Sequence, residues 1–335
     1  MTELKFHRWF RNSTALAAAC AAGVLGGVAR GADSVAPEAT AVAVAPPSAT
    51  APTPPPPYSI PWQLRPAAAA SVVRSDSSVA FYDTAGASGS TVATMLLGSY
   101  AVTSHLAPLL RLGFVQNQAP GAAPDGSSFI NPIVGLTYAR RAGSVRWAAF
   151  AGGTIPIGAG SGDHPDAGVA AANTAGLQAR SGMDNAMFAV NYFTGIVGAD
   201  VAYVDHRLTV QAEATLFQLL RVHGDDAGGQ SSDAARTNST MGLHAGYFLL
   251  PFLSVGAELR YQRWLSTPTR VVMGTKSDIP SANKDTTTVA IGPRAHFAVG
   301  RGMFLRPGIS YARALDAPLS NSSYNMVQVD VPLVF

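Results

Sequence analysis

From about Val72 to the end of the chain, apolar side chains alternate with small or polar ones. In MGLHAGYFL, Met241, Leu243, Ala245, Tyr247 and Leu249 alternate with Gly242, His244, Gly246 and Phe248. In LSVGAELRYQ, Leu253, Val255, Ala257, Leu259 and Tyr261 oppose Ser254, Gly256, Glu258, Arg260 and Gln262. LTVQAEATL and TVAIGPRAHFAV follow the same scheme. A period of two places one set of side chains on each face of an extended strand. About twelve such segments are centred near 77, 97, 112, 135, 151, 198, 214, 243, 259, 292, 308 and 330. Each runs to about 10–14 residues, longer than the usual globular strand and suited to a tilted membrane strand.

The connectors carry the next step. Turns of a few residues near His105, Ala142, His206, Pro251 and Arg301 alternate with the longer links 85–90, 119–128, 158–191, 224–235, 266–284 and 316–322. Short and long connections in alternation predict an all-β fold, an antiparallel up-and-down transmembrane β-barrel of about 12 strands with both termini on the short-turn side. Aromatic residues add a register. Tyr100, Tyr138, Tyr203, Tyr247, Phe297 and Phe335 stand near the short-turn end, and Phe81, Phe114, Tyr261 and Tyr311 near the other. Two such girdles mark the two edges of a lipid-facing band.

Composition changes the picture only toward the N-terminus. Lys5, Arg8 and Arg11 precede an uncharged stretch from Ser13 to Ala29, the pattern of a secretory signal peptide over residues 1–29, with cleavage expected after Ala29 or Ala32. Its loss removes those three bases and Glu3, leaving a formal charge of +1 in place of +3. The isoelectric point near 9.1 is therefore no argument for nucleic acid. The single cysteine, Cys20, lies inside this segment. Apolar residues continue past it, which argues against a lipidation box. Residues 30–68 are rich in Ala and Pro and are expected to form an extended periplasmic linker, with Trp62 available to touch the folded domain. The barrel is assigned to residues 69–335.

Signal peptide, an even number of long strands and a terminal Phe335 resemble the Gram-negative outer-membrane β-barrel class. The resemblance covers roughly Val72 to Phe335 and reaches no particular porin, enzyme or adhesin family. It implies residence in the outer membrane, with membrane lipid and the barrel-assembly machinery as partners. It further implies that Val327, Val329, Val331, Leu333 and Phe335 form the signal read by that machinery.

With the apolar face toward lipid, parity points Arg74, Asp76, Arg111, Arg146, Asp200, Glu213, His244, Glu258, Arg260, Arg294, His296, Arg306 and Asp330 into the lumen. Two readings of these charges stay open: ion-pair ladders that stiffen a narrow barrel, or a surface that conducts solutes. Arg294, His296 and Arg306, from adjacent strands, would bias the second reading toward anions. Gly158–Asn191 is too long for a plain connector. Its Ala-rich part is expected to form a short helix after Asp166, and the loop either folds into the mouth or covers it. Asp163, His164 and Asp166 are more simply polar loop residues than cation ligands. Convergent Ser, His and acid are absent apart from Ser239 and His244, so no enzyme activity, cofactor or metal is expected. The functional expectation is a passive channel for small hydrophilic solutes, with a structural or adhesive barrel as the alternative and an outer-membrane hydrolase a more distant one.

Overall fold

The computed structural model describes residues 58–84, 86–224, 233–272, 275–300 and 302–335. The signal-peptide reading and most of the linker reading lie outside the described residues. Twelve strands form the wall: β1 (Val72–Thr84), β2 (Ala87–Ser99), β3 (Leu106–Gln118), β4 (Gly126–Ala142), β5 (Val145–Thr154), β6 (Tyr192–Asp205), β7 (Leu208–Arg221), β8 (Ala235–Leu250), β9 (Leu253–Trp264), β12 (Asp285–Ala295), β15 (Gly308–Ala314) and β16 (Asn325–Val334). All neighbours are antiparallel, and β16 pairs with β1 from Val72↔Val334 to Phe81↔Asn325, which closes the barrel. Closure leaves no free edge, so every strand can satisfy its backbone groups within the wall.

The alternation is carried through to burial. Along β7, Leu208, Val210, Leu216 and Leu220 are exposed while Thr209, Gln211, Glu213 and Thr215 are buried. Tyr100, Tyr203, Tyr247, Phe297 and Phe335 are exposed near the short-turn end, and Phe81, Phe114 and Tyr311 near the other. An apolar outer surface around a polar inner one is the inverse of a soluble domain and the form a lipid solvent demands.

Three details differ from the sequence reading. Ala87 already pairs with Thr84, so the link expected over 85–90 is mostly strand. Strands β10 (Thr269–Val272) and β11 (Thr275–Asp278) form a separate hairpin in the link after β9. The tenth connection of the wall, between β12 and β15, is extended by a hairpin of β13 (Phe297–Gly300) and β14 (Met303–Leu305), offset from β12 and β15 at His296 and at Arg306 and Pro307.

Among the described residues, two segments fill the interior. Residues 155–191, between β5 and β6, fold into the loop half of the lumen and carry α1 (Ala167–Ala179) and α2 (Asn185–Phe188). The Asp166 side chain caps α1 by accepting from the Gly168 and Val169 amides at 2.9 and 3.0 Å. An Ala-rich run then favours helix, and Ser181 (φ 56°) and Gly182 (φ 70°) end it. Its Ala172 and Ala179 pack with Met187 and Phe188 against Met95, Val115, Ile130, Phe217 and Leu219 of the wall. The second insert, residues 58–70, occupies the turn half ahead of β1. Composition groups 58–68 with the linker, yet Trp62 and Leu64 are each 1% exposed. Tyr58, Ile60, Trp62 and Leu64 stand at every second position, an apolar pattern that the surrounding prolines conceal.

Candidate functional site: the lumen and its two inserts

All thirteen charged or histidine positions assigned to the lumen by parity are buried or half-buried. Most of their partners come from the inserts, and fewer from the wall. Arg180, which follows α1 and is 0% exposed, donates to both oxygens of Asp76 at 2.9 and 2.8 Å and to Ser78 Oγ at 2.9 Å. Its Nε donates to Asp184 at 2.7 Å. Arg111 donates to the same Asp184 at 2.5 and 3.2 Å. Burial alone would raise the Asp184 carboxyl, but Arg111 and Arg180 outweigh it and hold the group below its ordinary value.

The N-terminal insert is held by main chain as much as by side chains. Glu258 accepts from the Trp62 amide at 2.8 Å and the Gln63 amide at 3.1 Å. Glu213 accepts from the Arg65 amide at 2.5 Å, and the Arg65 guanidinium reaches Glu213 at 3.2 Å and Asp200 at 3.5 Å. Arg146 lies over the Tyr58 ring at 4.7 Å, and Arg306 donates to the Tyr58 carbonyl at 3.5 Å. The Tyr58 hydroxyl donates to Gln211 and accepts from the Ala67 amide, which closes the insert on itself. Beneath it the wall is hollowed: a Cβ at Gly246 would sit 2.1 Å from Ser59 Oγ, and one at Gly242 2.2 Å from Leu64 Cδ2. Glycine at these two positions lets the insert approach the strand backbone.

Wall-to-wall pairs account for the remainder. Arg74 and Arg294 flank Asp330 at 2.6 and 2.5 Å, Arg260 donates to Glu258 at 2.5 Å, and His296 bonds Ser254 Oγ at 2.8 Å. Arg294 also donates to the Arg306 carbonyl. The basic cluster on that wall is therefore engaged by an acid and a carbonyl, which weakens the anion bias read from sequence. Gln328 connects the N-terminal insert to the wall seat of Arg180, since its Nε2 donates to Asp76 Oδ1 at 2.6 Å and to the Trp62 carbonyl at 3.2 Å.

Ser59, His244 and Glu258 form an arrangement that resembles a hydrolase triad. Ser59 Oγ lies 3.2 Å from His244 Nε2, but His244 Nδ1 is 3.9 Å from Glu258. Glu258 is already occupied by Arg260 and two amides, Trp62 packs edge-on against His244 at 5.9 Å, and Ser59, His244 and Glu258 are 2%, 1% and 0% exposed. A nucleophile needs room for its substrate; this trio serves packing. Among the described residues, no three His, Cys, Asp or Glu side chains gather to hold a metal ion.

Two of the spaces beside the inserts are bounded by described residues. An inner cavity of about 140 Å³ lies between them, bounded by Leu64, Met95, Ile133, Phe150, Met183 and Phe217 with Arg65, Arg74 and Arg111 at its edge. A wider outer chamber of about 640 Å³ lies on the loop side, between α1, α2 and the wall at Tyr82, Asn117, Arg236 and Trp264. Met183, Asp184 and Ala186 face the inner space and Asn185 and Phe188 the outer one, so α2 stands in the partition.

Parity located the wall residues but not Arg180, Asp184, Arg65 or Ser59. Arg180 and Asp184 lie in a segment without periodicity, and Ser59 and Arg65 flank the short alternation from Tyr58 to Leu64, which the surrounding prolines conceal. Gln328 was visible on the polar face of the last strand.

No protein-family model and no curated protein matches the chain. Solved structures of similar fold include an outer membrane channel from Pseudomonas putida F1, with 13% identity over 82% of this chain and 98% of that one at a TM-score of 0.51. The NanC porin follows with 10% identity, 78% and 98% coverage and a TM-score of 0.43. The transport unit of the autotransporter AIDA-I from Escherichia coli has 10% identity, 79% and 90% coverage and a TM-score of 0.43. At these identities the likeness is one of fold: a closed twelve-strand barrel resembling the outer-membrane class.

Proposed function

We propose that the chain is a passive outer-membrane channel for small hydrophilic solutes, closed in this conformation by its two inserts. It is exported by a cleaved signal peptide and inserted into outer-membrane lipid by the barrel-assembly machinery, which reads Val327, Val329, Val331, Leu333 and Phe335. The observation that carries the reading is the way the lumen is filled. Twelve strands enclose more room than side chains alone can occupy, and here main-chain segments seated on polar groups occupy it. Asp76, Arg111, Glu213 and Glu258 bind an insert; with that insert displaced, the same groups would line a water-filled path.

Conductance in planar bilayers tests this. Wild-type protein is expected to give rare, small steps. Deleting residues 160–182, or 58–66, should enlarge the steps or raise their frequency, and deleting both should give a continuously open pore. Silence from all correctly folded variants would overturn the channel and leave a structural or adhesive barrel.

A further inference from the structure

The lumen face carries an apolar sector. Leu97, Leu109, Ile133, Phe150 and Ile196, on the five successive strands β2 to β6, face the inner cavity, although the inside of a membrane barrel has no need of apolar side chains. Ile133, Phe150 and Ile196 are buried, while Leu97 and Leu109 stay half-buried. The N-terminal insert adds Trp62 and Leu64 to the same cavity of about 140 Å³, and the loop insert adds Met183 and Ala186. The charged groups of the lining are engaged with one another or with neighbours: Arg65 with Glu213, Arg111 with Asp184, Asp76 with Arg180 and Arg74 with Asp330. The Gln63 side chain and two nitrogens of the Arg65 guanidinium lack a hydrogen-bond partner, but those atoms are themselves buried and do not open onto the cavity. A water held there would need about two to four polar partners, and the ion pairs already hold the charged ones.

We infer that the inner cavity is a binding site for a small neutral apolar molecule, the size of one aromatic ring. An apolar cavity of about 150 Å³ lined by Leu, Ile and Phe stays dry and takes up benzene. This cavity is close to that in volume and shares those residue types. Its charges balance in pairs, so a charged ligand would lose its hydration and find no counter-ion. A neutral one loses nothing of the kind. Trp62, Leu64, Met183 and Ala186 line the cavity only while both inserts are seated, so the ligand selects the closed form and holds it closed. That consequence rests on the channel reading; binding itself is measurable without conduction.

The test is methyl NMR of the folded full-length protein in detergent, isotope-labelled at its methionine methyl groups and titrated with benzene. Met95 and Met183 line the cavity, whereas Met241 and Met303 lie on the outer surface and report benzene dissolved in the micelle. The first two should shift saturably and the last two in proportion to added benzene. Sodium benzoate, a similar ring carrying a charge, should bind at least tenfold more weakly. Leu97→Phe and Leu109→Phe each fill the space, and either one, once folded, should weaken benzene at least tenfold. Deleting residues 58–66 takes away Trp62 and Leu64 and should abolish saturation even where neither Phe variant folds. At benzene about ten times its dissociation constant, modification of a thiol introduced by Ala172→Cys, with Cys20→Ser as background, should slow about tenfold. Met95 and Met183 shifts that merely follow Met241, benzoate binding as tightly as benzene, or benzene binding unmoved in the folded variants overturns the site. So do contacts from detergent chains at the Met95 methyl, which would give the space to an acyl chain. Saturable binding with unslowed thiol modification keeps the site and overturns its hold on the inserts. Binding by a protein that passes no current in any variant removes the channel and keeps the site.

Discussion

Arg180→Ala isolates the contact that holds the loop insert in the lumen. The guanidinium is 0% exposed and spans from Asp76 on β1 to Asp184 beside α2. Its loss leaves Asp76 with Gln328 and Asp184 with Arg111. Removing one partner of a buried ion pair costs about 3–5 kcal/mol, mostly because the other charge stays dry and unpaired. The surviving donors argue for the lower end, about 3 kcal/mol. The wall's hydrogen-bond ladder does not pass through Arg180, so this cost falls on the seated insert and the barrel stays closed on itself. At about 1.4 kcal/mol per decade, the open fraction of the insert should rise about 100-fold.

Ala172 reports that fraction, because it is 0% exposed between α1 and the wall. With Cys20→Ser as background, Ala172→Cys provides a unique thiol. Its rate of modification by a small water-soluble thiol reagent should rise about 100-fold when Arg180→Ala is added. Adding Asp76→Asn and changing Arg180→Ala to Arg180→Met removes the stranded charge and should recover much of the protection. Unchanged labelling in Arg180→Ala, with the barrel still heat-modifiable, would refute the ion pair as the latch.

Acid should act on the same contact. The Asp184 carboxyl lies below its ordinary value, so its stabilising share is complete above about pH 4 and is lost as pH falls through the lowered value; conductance should stay flat from pH 7 to 5 and rise only in stronger acid, and a rise near pH 6 would contradict this. Gly246→Val places side-chain atoms where Ser59 lies, so it should expel the N-terminal insert and expose a Ser59→Cys thiol to reagent; continued protection would remove steric fit as the reason for glycine. Deleting Phe335, or replacing Val331 and Leu333 with Asp, should abolish heat-modifiable protein in outer-membrane fractions, and normal insertion would reject those residues as the assembly signal. A cysteine at Ser277 should label on intact cells and one at His206 should not, with the reverse pattern sinking the orientation.

The wall was legible in the sequence because lipid and lumen impose opposite polarity on alternate residues, and a one-residue slip would reverse every side chain. That constraint acts on each strand separately, so strand parity placed Glu213, His244 and Glu258 without any knowledge of their neighbours. The inserts obey no such constraint. Trp62 and Glu258 meet across 196 positions, and Arg180 and Asp76 across 104. Neither pairing leaves a trace in local pattern. Residues 58–68 were hidden by their prolines, because composition marks where a chain cannot build its own core but says nothing of a core supplied by another segment. The helix after Asp166 was readable, since capping and Ala content are local; its position inside the lumen was not.

In the proposed channel the polar contacts of the seats are what would let an insert leave, while the apolar patch of Met95, Val115, Ile130, Phe217 and Leu219 under the loop insert favours the seated state. An apolar seat would lose about 25 cal/mol per Å² on exposure to water, with nothing in the open lumen to offset it. Asp76, Glu213 and Glu258 exchange an insert's donors for water when it leaves, and a solvated carboxylate carries no burial penalty. Arg180→Ala acts on this balance from one side: it strips Asp76 of its partner only while the lumen is dry. Gln328 ties the balance of one insert to that of the other, since its single amide donates to Asp76 beneath the loop insert and to Trp62 of the N-terminal one. Withdrawal of the N-terminal insert frees that donor and wets the inner face of Asp76, which lowers the advantage of keeping Arg180 in place. In the proposed channel the two inserts would therefore leave the lumen more readily together than either would alone.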